Sequence, residues 1–182
     1  MYRLILLAVS LLPSVVSAQV SVGGVMPDVA LQNMRGGDTS THALFGDQGA
    51  AFVFWSNDCN WTDQYESRVE ALNTASVPVI LVNSNDATVF PKEAEPGKQY
   101  DVAYVRDLGG NLAQALGAER TPHVFVFDRE KALVYAGGID DSPADAQQVQ
   151  AAWFQDAIEK LSSGQSVSVS STQSFGCRIK LP

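Results

Sequence analysis

The chain has 182 residues, 46% of them apolar and 18% charged, with 12 Lys plus Arg against 20 Asp plus Glu and a formal net charge of −8. That is an ordinary globular composition, enough for one domain with its own core, and its acidity excludes a surface built to hold nucleic acid or anionic lipid. Two cysteines, Cys59 and Cys177, and two histidines, His42 and His123, exclude a disulfide-dense miniature scaffold, a zinc ribbon and a cysteine-ligated iron–sulfur cluster.

Residues 1–18 carry one positive charge, Arg3, then an apolar run cut by Pro13 and the small-residue end Val16-Ser17-Ala18. This is the pattern of a secretory signal peptide, too short for a comfortable membrane span. The expectation is an exported, periplasmic or secreted protein with no stable membrane association after cleavage. Its domain would run from 19 to 164, with a tail at 165–182 that carries Cys177. In an oxidising compartment a disulfide can form and persist.

Residues 51–55 (AFVFW) are a nearly continuous apolar run, suited to a central strand buried on both faces. The polar Ser56-Asn57-Asp58 leads to Cys59. Trp61, Tyr65, Val69 and Leu72 then recur at helical spacing, predicting a helix over 60–75. A second buried strand is expected at 77–82. Residues 91–97 read as loop with one helical turn.

A short strand follows at 102–105, then a helix at 111–116 closed by Gly117. Thr121-Pro122 opens a strand over 123–127 (HVFVF), and 132–136 is its hairpin partner. Asp141-Ser142-Pro143 is the expected start of the last helix, with Val149, Trp153, Ala157 and Leu161 as its buried stripe. Asp140 and Asp141 read as helix-capping charges. Parallel strands joined by helices, followed by an antiparallel pair, predict a three-layer α/β fold.

Cys59 stands where a buried strand gives way to a helix. Backbone N–H groups and the helix dipole there favour the thiolate, the nucleophilic form. The alternative is a buried cysteine serving as a small apolar side chain or as half of a structural bridge. His42 and His123 lack partners at metal-ligand spacing, so no metal site is expected.

Three segments together, FWSNDCNWT, TPHVFVFD and GGIDDSP, resemble the thioredoxin-like superfamily, and within it the peroxiredoxin-like redoxins of the alkyl hydroperoxide reductase/thiol-specific antioxidant group. The resemblance covers about residues 23–161, and the ending FGCRIK resembles a C-terminal cysteine motif of some of these redoxins. It implies a thioredoxin-like fold with a central mixed sheet flanked by helices, and a cis Thr121–Pro122 bond facing Cys59. It further implies an exported thiol–disulfide oxidoreductase or peroxiredoxin-like antioxidant protein. Cys59 would be the nucleophile, and Ser56, Trp61, Thr62, Thr121 and Pro122 would position the substrate. Ser56 would donate a hydrogen bond toward the sulfur.

The chain departs from the family pattern at defined positions. Thr62, three after Cys59, stands where a thioredoxin dithiol would have its second cysteine, and Ser56 stands three before. Phe52 occupies the place of the peroxidatic proline, and the nearest match to the family's thiolate-side arginine is Arg120. Cys177 can replace the missing partner, because a thiolate that attacks a disulfide or peroxide needs a second thiol to resolve the product. An external thiol would then supply electrons, and no bound cofactor is implied. The other reading is a non-catalytic binding module whose Cys59–Cys177 bridge is permanent. Both stand at this point.

Overall fold

In the computed structural model, which describes residues 19–95 and 99–182, the first regular element is a hairpin that the hydropathy pattern does not announce. Strand β1 (Ala30–Asn33) and strand β2 (Asp38–Ser40) pair antiparallel around Gly36 and Gly37, whose φ values of 102° and 89° suit glycine. The segment expected to be a signal peptide lies outside the described residues.

Strand β3 (Gly49–Phe54) is buried along its whole length, as its apolar run predicts. Helix α1 (Asn60–Glu70) is shorter than the expected 60–75. Side chains turn the chain after it: Asn73 Oδ1 accepts the Val79 N–H and Thr74 Oγ1 accepts the Val77 N–H, local bonds that compete with helix. Strand β4 (Val79–Asn83) runs parallel to β3. A 3₁₀ turn at Pro91–Ala94 precedes β5 (Ala103–Arg106), parallel to β4. Helix α2 (Asn111–Leu116) is closed by Gly117 in the left-handed conformation.

Strand β6 (Arg120–Thr121) is followed by β7 (His123–Asp128), antiparallel to β3, and β8 (Leu133–Gly137), antiparallel to β7. Helix α3 (Trp153–Ser162) comes later than the expected start at Asp141. Pro143 is not its first residue, and Val149 is not in it. The intervening side chains are committed elsewhere: Asp145 Oδ1 accepts the Gln147 N–H, Asp141 Oδ1 accepts the Gln150 N–H, and Asp140 binds Arg68. The two bonds to backbone N–H groups offer the chain an alternative to helix. Strand β9 (Cys177–Arg178) pairs antiparallel with β6.

The main sheet has the order β2-β1-β5-β4-β3-β7-β8. Alternation along its strands splits the core in two. Ala51, Val53, Leu81, Val124 and Val126 face Tyr65 and Val69 of α1 and Phe154, Ala157 and Ile158 of α3. Phe52, Phe54, Ile80, Val82, Phe125 and Phe127 face Leu112, Ala113 and Leu116 of α2. The result is the predicted three-layer α/β architecture, a mixed sheet between helices. No helix among the described residues is long and apolar enough to cross a membrane.

Candidate redox site

Cys59 is the N-cap of α1, in extended conformation with φ −130° and ψ 116°. The fully buried β3 delivers the chain to the edge of the core, and the helix begins one residue later. The thiol position is nearly sealed, at 4% exposure. Its sulfur is bonded to that of Cys177 across a Cα–Cα distance of 6.1 Å, a separation that a disulfide spans without displacing the backbone.

The other side of the sulfur meets the segment expected to face it. The Thr121–Pro122 peptide bond is cis, and the Thr121 carbonyl oxygen is 3.3 Å from the Cys59 sulfur. Thr121 also pairs in register with Cys177, and Arg120 with Arg178. The Thr121 hydroxyl is buried with no partner among the described residues. Cys59, Cys177, Thr121 and Pro122 therefore converge.

Thr62 and Ser56 serve the loop instead of the sulfur. Thr62 Oγ1 lies 2.9 Å from the Ser56 carbonyl oxygen and 2.6 Å from that of Cys59, so its single proton ties the loop into the first turn of the helix. The Ser56 hydroxyl donates to Glu93 Oε1 at 2.5 Å and accepts the Asp58 N–H. The expected hydrogen bond from Ser56 to the sulfur is thus replaced by one to a buried carboxylate. Trp61 leans outward onto the tail, its ring meeting that of Phe175 edge-on at 4.7 Å.

Glu93, in the 3₁₀ turn, organises the loop. Its carboxylate accepts from Ser56 Oγ, from the Asn57 N–H at 2.8 Å and from Asn83 Nδ2 at 2.9 Å. Tyr104 joins them: its hydroxyl donates to Asn57 Oδ1 and accepts from Asn83 Nδ2. Burial raises the Tyr104 hydroxyl well above its ordinary pKa, which keeps it a donor. On the surface, Asp58 pairs with Lys92 at 2.7 Å, a hydrogen bond that lowers the Asp58 carboxyl.

The tail reaches the site as an extended strap. Ser171 bridges to Ala136 of β8, and Thr172 Oγ1 accepts the Gly138 N–H. Beyond Cys177, the Ile179 N–H donates to Glu119 O and the Lys180 N–H to Asn85 Oδ1. Arg120, the nearest match to a thiolate-side arginine, points its guanidinium at the Gly176 carbonyl oxygen, 3.0 Å away.

Glu93, Asn57, Phe175 and Gly176 complete the site but are not among the residues singled out from sequence. For Gly176 a signal exists, a glycine directly before a cysteine. Glu93 has none, lying in a segment that reads only as loop. Asp140 does not cap a helix. It binds Arg68 Nη1 at 2.6 Å and accepts from the Tyr65 hydroxyl, tying α1 to the segment after β8. Among the described residues no group of three His, Cys, Asp or Glu side chains could hold a metal ion.

A mixed sheet between helices, with a nearly sealed cysteine at a strand–helix junction against a cis-proline loop, defines a thioredoxin-like redox protein. The model of the AhpC/TSA family matches residues 22–136, and the chain belongs to that family. No curated protein matches it. An uncharacterized conserved protein from Geobacillus kaustophilus is similar in structure, with 28% identity, a TM-score of 0.80, and 94% of this chain and 97% of that one covered. A hypothetical protein from Sinorhizobium meliloti has 27% identity, a TM-score of 0.75 and coverage of 91% and 97%. The exposed lipoprotein thioredoxin Etrx1 of Streptococcus pneumoniae, at 18% identity and a TM-score of 0.52 over 60% of this chain and 87% of that one, shares the fold.

Proposed function

We propose that the protein is an exported thiol–disulfide oxidoreductase in which Cys59 attacks and Cys177 resolves. The observation that carries this reading is the bond between these two cysteines at the N-terminus of α1, with the Thr121 carbonyl against the sulfur. A helix N-terminus stabilises the thiolate that reduction would release.

In the reduced protein, the Cys59 thiolate attacks one sulfur of a substrate disulfide. The new bond is a mixed disulfide, and the other substrate sulfur leaves as a thiolate. The Cys177 thiolate then attacks the Cys59 sulfur, expels the second substrate thiolate and closes the Cys59–Cys177 bond. An external thiol donor returns two electrons and opens it again. Family membership favours a second reading in which a hydroperoxide is the oxidant. Cys59 would become a sulfenic acid with release of an alcohol, and Cys177 would condense with it to release water. Phe52 in the core and Arg120 turned to the tail support disulfide exchange as the first reading.

The working unit is the domain 19–164 with the tail 165–182, after removal of the 1–18 leader. Its partners are a thiol, disulfide or peroxide substrate and the external thiol donor, met in the periplasm or outside the cell. One experiment tests the reading: the reduction potential of the pair, measured with the rate at which reduced Cys59 reacts with a disulfide. A potential above about −300 mV with a fast thiol is expected, whereas a lower potential with a sluggish thiol would mark a permanent clamp.

A further inference from the structure

The tail does more than deliver a sulfur. It occupies the free edge of β6 as a short antiparallel strand, with Cys177 opposite Thr121 and Arg178 opposite Arg120. The residue before the cysteine is held in a conformation that only glycine adopts easily, φ 147°. A Cβ there would also overlap the Thr121 carbonyl oxygen, which belongs to backbone and has little room to move. Arg120 fixes the same residue through its carbonyl. One place earlier, Phe175 sets its ring against Trp61, although Phe175 itself is 49% exposed. Two places after the cysteine, Ile179 packs on the α2-side core.

Each of these contacts recognises a feature of the occupant. The backbone pairing asks for an extended chain, the close approach to Thr121 for glycine before cysteine, and Trp61 for an aromatic ring before that. We infer that the β6 edge and Trp61 form a selective peptide-binding site, and that its ligand is an extended segment reading aromatic–Gly–Cys, of which the tail is a tethered copy. The inference rests on the proposed function, and it narrows the substrate from any disulfide to a protein or peptide disulfide presented on such a segment. In the step concerned, the Cys59 thiolate attacks the peptide's cysteine sulfur, the new bond is the Cys59–peptide disulfide, and the group formerly bonded to that sulfur leaves as a thiolate with the electron pair.

The test uses the full chain with Cys177→Ser, which leaves Cys59 free. The probe is a synthetic peptide of residues 173–180 whose cysteine is capped as a 2-pyridyl disulfide, and release of the pyridinethiol is followed. Cysteamine capped in the same way is the reference for intrinsic reactivity. Replacing the peptide's glycine by alanine should slow the peptide by about tenfold or more, and replacing its phenylalanine by alanine by about threefold or more, with the reference unchanged. The resident tail competes with every peptide alike, so the ratios survive its presence. Equal rates for all three peptides would overturn the inference.

Should Cys59 ignore even the reference, the nucleophile reading fails, and the edge is judged separately. The same peptide with serine for its cysteine is then titrated against tryptophan fluorescence. Tighter binding of the glycine form than of the alanine form upholds the selective site, and no difference between them refutes it.

Discussion

The two halves of the disulfide are held in opposite ways. Cys59 follows a strand that pairs on both sides, with β4 and with β7, and its own side chain is almost sealed. Cys177 belongs to a strand of two residues on a tail held by scattered hydrogen bonds, by Ile179 on the α2-side core and by a half-exposed aromatic contact. The position of Cys59 thus depends on the folded core, while that of Cys177 depends on a short strand pairing, a few tail contacts and the bond between the two sulfurs. In the proposed cycle, opening of the bond is expected to move the tail and leave the sheet in place.

The sharpest way to break that comparison is to remove each sulfur in turn. With Cys59→Ser, turnover of a disulfide substrate should fall on the order of a thousandfold or more, and no covalent adduct should form. Cys177→Ser should abolish turnover as fully but keep the first attack, leaving a stoichiometric mixed disulfide visible by intact mass. If the two variants behave alike at the first attack, the division of labour is wrong.

Next in size is the effect of reduction on stability. Closing a loop across 118 residues of sequence is worth about 4–5 kcal/mol in the chain-entropy model. Reduction should cost up to that amount in urea unfolding. Its local signature is more telling. Amide hydrogens of Thr172, Ile179 and Lys180 should lose protection, while those of β3 and β4 keep theirs. Protection lost evenly across the sheet would show that the tail and core are one cooperative unit.

A third perturbation acts on the anchored half alone. Asp140 is buried against Arg68 and the Tyr65 hydroxyl. Asp140→Ala strands the Arg68 charge and should destabilise the protein by about 2–4 kcal/mol. Since no hydrogen bond or ion pair among the described residues joins these groups to the tail, the loss should be the same in oxidised and reduced protein and should add to the effect of reduction. A coupling above about 1 kcal/mol in that cycle would mean that the tail also braces α1.

The same division explains what the sequence reveals. Regions held by packing announce themselves through hydropathy: the apolar runs at 51–55 and 77–82 lie in or beside β3 and β4, and the helix at 111–116 ends at its glycine. Where polar side chains decide the backbone, the pattern misleads. The stripe Val149, Trp153, Ala157, Leu161 has helical spacing, but Asp141 and Asp145 bind backbone N–H groups and delay α3 to Trp153. The site divides likewise. Cys59 is legible from the strand and helix that it borders, whereas the cis Thr121–Pro122 bond facing it enters only with the family resemblance, since X–Pro bonds are mostly trans. Glu93 is not legible, since its role comes from long-range bonds to Ser56, Asn57 and Asn83 that no local spacing encodes. The β6–β9 pairing, two residues long, is below what any periodicity can carry.

The smallest expected effect concerns pH and again separates core from tail. His123 opens β7 directly after the cis-proline, stacked at 4.4 Å on Phe125, its Nδ1 buried without a partner among the described residues. Burial pushes its pKa down to about 4, below the value of about 6.5 for an unfolded chain. The unfolded state therefore binds more protons in between, so the neutral ring's contribution is complete above about pH 6.5 and is lost as pH falls toward 4. The tail from 165 to 182 carries no His, Asp or Glu, so mild acid should weaken the sheet without acting on the tail's own side chains. Asp28, Asp58, Asp86 and Asp141 have lowered pKa values and lose their contributions only in stronger acid. Between pH 7 and 4.5, the wild type should lose about 2 kcal/mol more than His123→Gln in urea unfolding. Parallel stability curves for the two proteins would remove His123 as the acid-sensitive element of the core.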